Sequence, residues 1–498
     1  MAVASLAIGL SSGAQAQEAV AAFNAYNSAF LVQSGSTTCY SFTLVSVGTN
    51  CATGWTGATD ISLAADAFQH THDQADLTLL NSLVASFITQ NGSNFLGDGW
   101  NDDIGWDLNP ITRDYQMSGN SSYLTIIENN WNGVYNRSWD TTNGGIWENT
   151  SNLSKCALSN DPFIADGVVL YQETGDSTYL TKAEAIYNWV RTKLVNTTNS
   201  NNSLGSPGQV NGCIKADGTL QGSDNAYDDG TFVEAANALY RVTGNSEYYN
   251  DALLTINHRV NEGTPLYTTA ECCGHVWSYW FTLGLNQFLN DTGQWPNYQT
   301  YLQNNANQAW SERNSINITW NDWRNPTNDS GTDGMEMEGA AAIWQHLPPV
   351  TPSFSGNYEI ESAVSGMALK VSGGSTANGA AIVQEPFVSG DNSALWTFTP
   401  TGGGYYHITN VNSGQAMNVK GASVLAKALI DQWPTITNLI PGNDLWMPVS
   451  NSNGTITFYN LNSLQALNDP GGSTTAGVQY DQWWGTGGAG ETFNVISR

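Results

Sequence analysis

Two hydrophobic periodicities divide the chain. Up to about residue 347, apolar positions recur three and four apart, as in Ile164, Val168 and Tyr171 and again in Leu180, Ala183, Ile186 and Val190. That spacing gathers side chains on one face of an α-helix. Between such runs one phrase returns: Tyr115 to Gly119-Asn120-Ser121 and Tyr123, Tyr171 to Gly175-Asp176-Ser177 and Tyr179, and Tyr240 to Gly244-Asn245-Ser246 and Tyr248. A glycine ends one helix in the left-handed region, and an Asn or Asp side chain caps the next. Helical hairpins repeated in this way predict a stacked α-array or a toroid.

The helical pattern stops at Leu347-Pro348-Pro349-Val350-Thr351-Pro352-Ser353, whose prolines predict a stiff linker over 348–354. Beyond it, short β-rich runs alternate with Gly, Asn and Ser turns. Ser365-Gly366-Met367-Ala368-Leu369 is echoed by Ser413-Gly414-Gln415-Ala416-Met417 and by Ser463-Leu464-Gln465-Ala466-Leu467. Gln384, Gln432 and Gln482 keep the same step, as do Trp396, Trp446 and Phe493 approximately. Three β-repeats predict a β-trefoil over 355–498, whereas a propeller needs four or more blades. The fold class expected is therefore multidomain, an all-α toroid over 17–347 followed by an all-β trefoil.

The 498 residues exceed what one ordinary core supports, and two or three domains are expected from length alone. The net charge of -28 arises from only 15 Lys and Arg against 43 Asp and Glu. Such a surface repels nucleic acid and anionic membranes, so neither is an expected partner. Met1 to Ala16 is small and apolar and ends Ala14-Gln15-Ala16, which reads as a signal peptide cleaved before Gln17, although it lacks a basic start. A secreted, extracellular protein is expected. The six cysteines fit disulfides in that setting, with Cys39 and Cys51 as the easiest local loop and Cys156, Cys213, Cys272 and Cys273 left unassigned. The Cys and His spacings predict no metal site, and no cofactor motif is visible.

The candidate chemistry lies in Gly99-Trp100-Asn101-Asp102-Asp103-Ile104-Gly105-Trp106. Adjacent carboxylates resist joint ionisation, which holds one protonated while the other is charged. Glycoside hydrolysis needs such a pair. Tryptophan faces offer apolar platforms for sugar rings.

Together these features resemble glycoside hydrolase family 76, the α-1,6-mannanases, joined to a ricin-type β-trefoil lectin module. The first resemblance rests on Trp100 to Asp107, Gly144-Gly145-Ile146-Trp147, Leu158-Ser159-Asn160-Asp161-Pro162, Thr319-Trp320-Asn321-Asp322-Trp323 and Ala342 to Pro349. It implies an (α/α)6 toroid with a cleft at one end. It also implies a retaining double displacement, with Asp102 as nucleophile and Asp103 as general acid and base. Trp100, Asn101, Trp106, Trp147 and Asn160 are candidate substrate contacts, and a second acidic pair, Asp228-Asp229, is read as contacting substrate hydroxyls or capping a helix. Glu336 and Glu338 read as structural or rim groups. Pro110 departs from the family pattern and predicts a kink in the helix that follows the acidic pair.

The trefoil resemblance implies sugar sites built from a polar group and an aromatic platform. The third repeat offers Asp469, Gln482, Trp483 and Trp484, and the second Asn418, Asp431 and Trp433. The first has Glu385 and Pro386 at the aromatic position and reads as silent. The function implied is a secreted endo-α-1,6-mannanase acting on fungal cell-wall mannan or mannoprotein glycans, with a second carbohydrate held by the trefoil. The protein is expected to be a monomer. A cell-wall transglycosidase and a non-catalytic carbohydrate-binding protein are the alternatives.

Overall fold

The computed structural model describes residues 12–197, 202–261, 266, 277–329 and 334–498. Most of the leader and both Cys272 and Cys273 lie outside the described residues, as does the side chain of Glu336. Among the described residues twelve helices precede the linker: α1 (Ser12–Phe30), α2 (Trp55–Thr71), α3 (Gln74–Asn91), α4 (Asn101–Ser118), α5 (Ser121–Ser138), α6 (Asp161–Thr174), α7 (Ser177–Lys193), α8 (Ala226–Thr243), α9 (Ser246–Asn261), α10 (Ser278–Thr292), α11 (Trp295–Ser311) and α12 (Gly334–Gln345). The even-numbered helices pack in sequence, and α12 returns to α2, closing an inner ring; the odd-numbered helices cover it from outside. No helix among the described residues is long and apolar enough to cross a membrane.

The recurring phrase does what its chemistry predicts. Helices α4, α6 and α8 end on Gly119, Gly175 and Gly244, all at positive φ, and α10 ends the same way on Gly293. Asn120 and Asp176 then accept the backbone N–H groups of Ser122 and Thr178, capping α5 and α7. Each such cap contributes about 1 kcal/mol. Asp73 caps α3 in the same manner after a left-handed His72, a copy of the phrase without its glycine. Inner helices approach closely where glycines permit: a Cβ on Gly230 of α8 would lie 2.3 Å from the Phe281 nitrogen of α10. Helix α4 runs unbroken through Pro110, where a kink was expected.

A strand pair, β1 (Leu31–Ser34) and β2 (Thr37–Tyr40), precedes α2, and Cys39 is joined to Cys51 there. Between the helices, β3 (Ser154–Cys156), β4 (Asn211–Lys215) and β5 (Leu220–Asp224) form a small antiparallel sheet. A second disulfide, Cys156–Cys213, links β3 to β4.

The β domain comprises β6 (Tyr358–Ser362), β7 (Ala368–Val371), β8 (Ile382–Glu385), β9 (Trp396–Gly402), β10 (Tyr405–Asn410), β11 (Ala416–Val419), β12 (Ile430–Trp433), β13 (Leu445–Ser450), β14 (Ile456–Asn460), β15 (Ala466–Asn468), β16 (Asp481–Trp483) and β17 (Phe493–Ser497). Strands β6, β9, β10, β13, β14 and β17 pair in a closed ring. Closure leaves no open sheet edge. The hairpins β7–β8, β11–β12 and β15–β16 repeat around it, giving the trefoil. The indole N–H groups of Trp396 and Trp446 donate to the carbonyls of Leu369 and Met417, both at 2.9 Å, so two repeats share one core contact. The third has Phe493, which packs without a polar handle.

The trefoil sits on the end of the toroid formed by the C-termini of the inner helices. Trp484 lies over Gly119, the rings of His72 and Tyr459 are 3.9 Å apart, Gln74 donates to the Gly485 carbonyl, and Arg241 donates to that of Asn462. The N-termini of the inner helices face the opposite end.

Candidate active site

Asp102 and Asp103 occupy the first turn of α4 at the end away from the trefoil. A helix N-terminus favours carboxylates there through its unpaired N–H groups. The start of α4 is fixed by a crossing segment. Asn101 N donates to the Glu148 carbonyl at 2.7 Å, Thr150 N donates to Gly99 O, and Trp100 and Asn149 form a bridge. Trp100 caps the helix without a side-chain bond and stays 48 % exposed, presenting an indole beside the acidic pair. In the crossing segment, the ring of Trp147 lies 4.2 Å beneath the Lys155 ammonium, which is held by Asp140 at 2.7 Å. Trp147 is half-buried, so one part of its surface remains open.

The electrostatics are those of a crowded acidic site. Burial first, then Asp103 and Glu148, push the Asp102 carboxyl up to about 8. Burial, Asp98 and Glu148 push Asp103 up to about 6. Asp102 Oδ1 accepts no hydrogen bond from the described chain. One turn on, Asp107 is buried and is pushed up to about 8 by burial and by Asp103 and Asp98. Near neutral pH the pair therefore shares one proton, the state that acid-and-nucleophile chemistry requires. Glu148, Asp98 and Asp107 were not singled out from the sequence. Asp107 was findable, since it follows Asp103 by four residues on one helix face.

Several expected contacts are internal struts instead. Asn101 is fully buried; its amide donates to Ser138 and to the Trp147 carbonyl, and its oxygen accepts twice from Arg137. Asn160 is fully buried and ties Ile146 N, Ile146 O and Cys156 O. Both brace the crossing segment, Asn101 from the first residue of α4 and Asn160 from the residue before α6. Trp106 is core, its ring 4.4 Å from that of Trp280. Asp228 and Asp229 are sealed in the first turn of α8: Asp228 accepts from Asn225, and Asp229 is paired with Arg259 at 2.8 Å. Both side chains are fully buried, which fits the helix-start reading better than contact with substrate hydroxyls. Glu338 is buried, in keeping with a structural role.

Among the described residues two groups have metal-ligand proximity, Asp224-Asp229-His258 and Glu148-Cys156-Cys213. Arg259 already bridges the first by bonding Asp224 and Asp229. In the second, both sulfurs are spent in the disulfide.

In the trefoil, Asp469 and Gln482 are likewise buried struts rather than sugar contacts. Asp469 accepts from Ser362 and Ser473. Gln384, Gln432 and Gln482 each accept from the serine that opens their repeat and donate to two carbonyls of a neighbouring repeat, which explains their even spacing. Trp484 is spent on the toroid. What does recur is a largely buried Asn–Asp pair beside a more exposed tryptophan. Asn418 donates to Asp431 at 2.9 Å beside Trp433, which is 46 % exposed. Asn468 donates to Asp481 at 2.7 Å beside Trp483. Asn418 also bonds Val419 O and Asn443, so it orients Asp431 more than it offers free bonds. In the first repeat the same places hold Lys370, Val383 and Glu385.

The glycosyl hydrolase family 76 model matches residues 52–347, more than half of the chain. The chain belongs to glycosyl hydrolase family 76. The ricin-type β-trefoil lectin domain-like model matches twice in the second region, at 340–433 and 392–483. Among solved structures, the family-76 toroid is similar to the GH76A α-1,6-mannanase of Salegentibacter sp. HEL1_6, with TM-score 0.56 and 21 % identity over 67 % of this chain and 98 % of that one. It is also similar to an inactive variant of that enzyme with two consecutive aspartates replaced by asparagine, in complex with α-1,6-mannotriose (TM-score 0.56, 20 % identity, 67 % and 98 % covered). The Lin0763 protein of Listeria innocua matches at TM-score 0.57 and 20 % identity, over 67 % of this chain and 96 % of that one. At these identities the likeness is one of fold. Comparison with curated proteins gave no match.

Proposed function

We propose that this family-76 chain is a secreted, retaining endo-α-1,6-mannanase that cuts the mannan backbone of fungal cell walls. The observation that carries the reading is the consecutive pair Asp102–Asp103 in the first turn of α4, at the end of the toroid away from the trefoil. The Salegentibacter variant supports it, since it lacks a consecutive aspartate pair, is inactive, and was obtained with an α-1,6-mannose trisaccharide.

In this reading the Asp102 carboxylate attacks the anomeric carbon while Asp103 protonates the departing glycosidic oxygen. Asp103, now charged, takes a proton from the water that attacks the same carbon, and Asp102 leaves as carboxylate. Without substrate the shared proton rests on Asp102, the more strongly raised of the two. A sugar in the cleft reverses that order, because positive charge developing at the anomeric carbon stabilises the carboxylate nearest it. Trp100 and Trp147 supply the platforms. The trefoil holds a second carbohydrate at Asp431 and Trp433 and at Asp481 and Trp483.

The test is product analysis on linear α-1,6-mannan, with the anomer released first read by NMR. Shortened oligosaccharides released as the α-anomer are expected. Release of the β-anomer first would sink retention, and elongated products would make the chain a transglycosidase. Binding without turnover, unaltered in Asp102→Ala, would remove the catalytic assignment.

A further inference from the structure

A chamber of about 160 Å³ runs along the toroid axis behind the active site. All six inner helices line it, from Gly105, close below the acidic pair, down to Tyr405, Met447 and Leu461 of the trefoil. Its volume is roughly ten times what a single water needs. That suits an object of pyranose size.

The lining chemistry selects among guests. The cations are already committed: Arg113 bonds Asp66 at 2.5 Å, Gln69, Ser62 O and Tyr279, while Arg241 lies 3.4 Å from Asp291. An anion therefore finds no free positive charge. Among the described residues no three carboxylate, histidine or cysteine ligands converge here, so a divalent cation finds no cage. What the wall does hold is unmatched acceptors, each oxygen enclosed while no guest is bound. Asp166 Oδ2, Gln345 Oε1 and Asn462 Oδ1 belong to residues more than nine-tenths buried and accept no hydrogen bond from the described chain. Buried acceptors of this kind destabilise the fold when left unmatched. Side-chain amides of Asn109, Gln116 and Gln172 add donors and acceptors in one group. Phe68, Met117 and Val168 add apolar wall. Hydroxyl donors combined with C–H faces describe a sugar.

We propose that this chamber is a second, non-catalytic binding site for a short neutral saccharide, clamped jointly by the toroid and the trefoil. Asn462 reaches in from the trefoil and Asp166 from α6, so the ligand bonds both domains and tightens their contact. The site stands apart from the cleft and does not depend on the catalytic assignment.

The experiment uses the full chain carrying Asp102→Asn and Asp103→Asn, with D-mannose and α-1,6-mannobiose as probes. Its melting temperature is followed with and without saturating sugar, in that background and with Ala165→Phe added to fill the chamber from α6. At least half of the sugar-dependent rise is expected to vanish with Ala165→Phe. On an otherwise wild-type chain, Ala165→Phe should leave turnover of manno-oligosaccharides within about twofold. Should Ala165→Phe fold poorly, Ala238→Met fills the chamber from α8. A crystal of the double variant soaked with mannobiose should show a sugar ring near Asp166 and Asn462. An undiminished melting shift in the filled variants, no shift in any of them, or sugar seen only in the cleft would overturn the proposal.

Discussion

The indole of Trp484 lies so close over Gly119 that a Cβ at that position would come within 2.1 Å of its ring. Gly175 has the same left-handed backbone but nothing within 4 Å. The two glycines separate turn chemistry from domain docking. Gly175→Ala should cost about 1–2 kcal/mol, the strain of a side chain at positive φ. Gly119→Ala should cost that plus about 1–3 kcal/mol for displacing the indole. Denaturant unfolding of both variants checks this. Equal losses would mean that Trp484 does not restrain the interface.

The acidic pair should govern the pH profile of catalysis. With Asp103 raised to about 6 and Asp102 to about 8, the pair holds one proton between those values. The value of kcat/KM on linear α-1,6-mannan should fall below the lower limit as a second proton binds, and above the upper limit as the last one leaves. A profile flat from pH 5 to about pH 9 would contradict a shared-proton pair.

Stability should decline as pH rises through the same region. Asp107 is raised to about 8, and Asp114, Asp166 and Asp229 to about 7, each chiefly by burial. A carboxyl with a raised folded-state pKa binds more protons folded than unfolded between the two values, so the folded state loses ground as pH rises through that interval. Asp66, lowered overall because Arg113 and His346 outweigh its burial, acts in the opposite sense at acid pH. The melting temperature should therefore be higher near pH 5 than near pH 8, and Asp107→Asn should flatten the slope by supplying a neutral isostere. Differential scanning calorimetry across pH measures it.

Asn160→Ala should behave as a folding defect rather than a binding defect. It removes one acceptor and one amide that together satisfy Ile146 N, Ile146 O and Cys156 O. A loss of about 1–3 kcal/mol in stability is expected, with KM of the folded fraction changed little. A large rise in KM at unchanged stability would restore Asn160 as a substrate contact.

Asp431→Ala and Trp433→Ala should each weaken carbohydrate retention by the trefoil, as read by affinity electrophoresis on mannan. Gln482→Ala should instead lower stability. If Gln482→Ala alone abolished retention, the assignment of struts and contacts in the repeats would be reversed.

The fold was legible because its signals are local and repeated. The Gly-Asn-Ser and Gly-Asp-Ser phrases carry their own stop and start chemistry, and the β-repeats announce themselves by spacing. The place of Asp102 and Asp103 at a helix start was legible for a related reason: its signals are contained in eight residues. The substrate contacts were not. Asn101, Asn160, Asp469 and Gln482 are polar residues within distinctive motifs, and a motif records a need for that side chain without saying whether a ligand or a backbone meets it. In each case another part of the protein does, such as Ile146 for Asn160, Ser423 for Gln482 and the Ser362 hydroxyl for Asp469. Trp484 carried the same ambiguity, since an indole suits a sugar or a neighbouring helix end equally well. Asn468 and Asp481 went unread because their pairing exists only across the β15–β16 register.

The inner helices run from the acidic pair at one end to the trefoil at the other, and α4 alone contributes 18 residues to that path. At 1.5 Å per residue this is a rigid strut of roughly 27 Å. On the proposed function, a polysaccharide strand held by the trefoil and the bond to be cut would be kept apart by that stand-off, and the molecule would work as a spacer in a mesh, anchored on one fibre while trimming another.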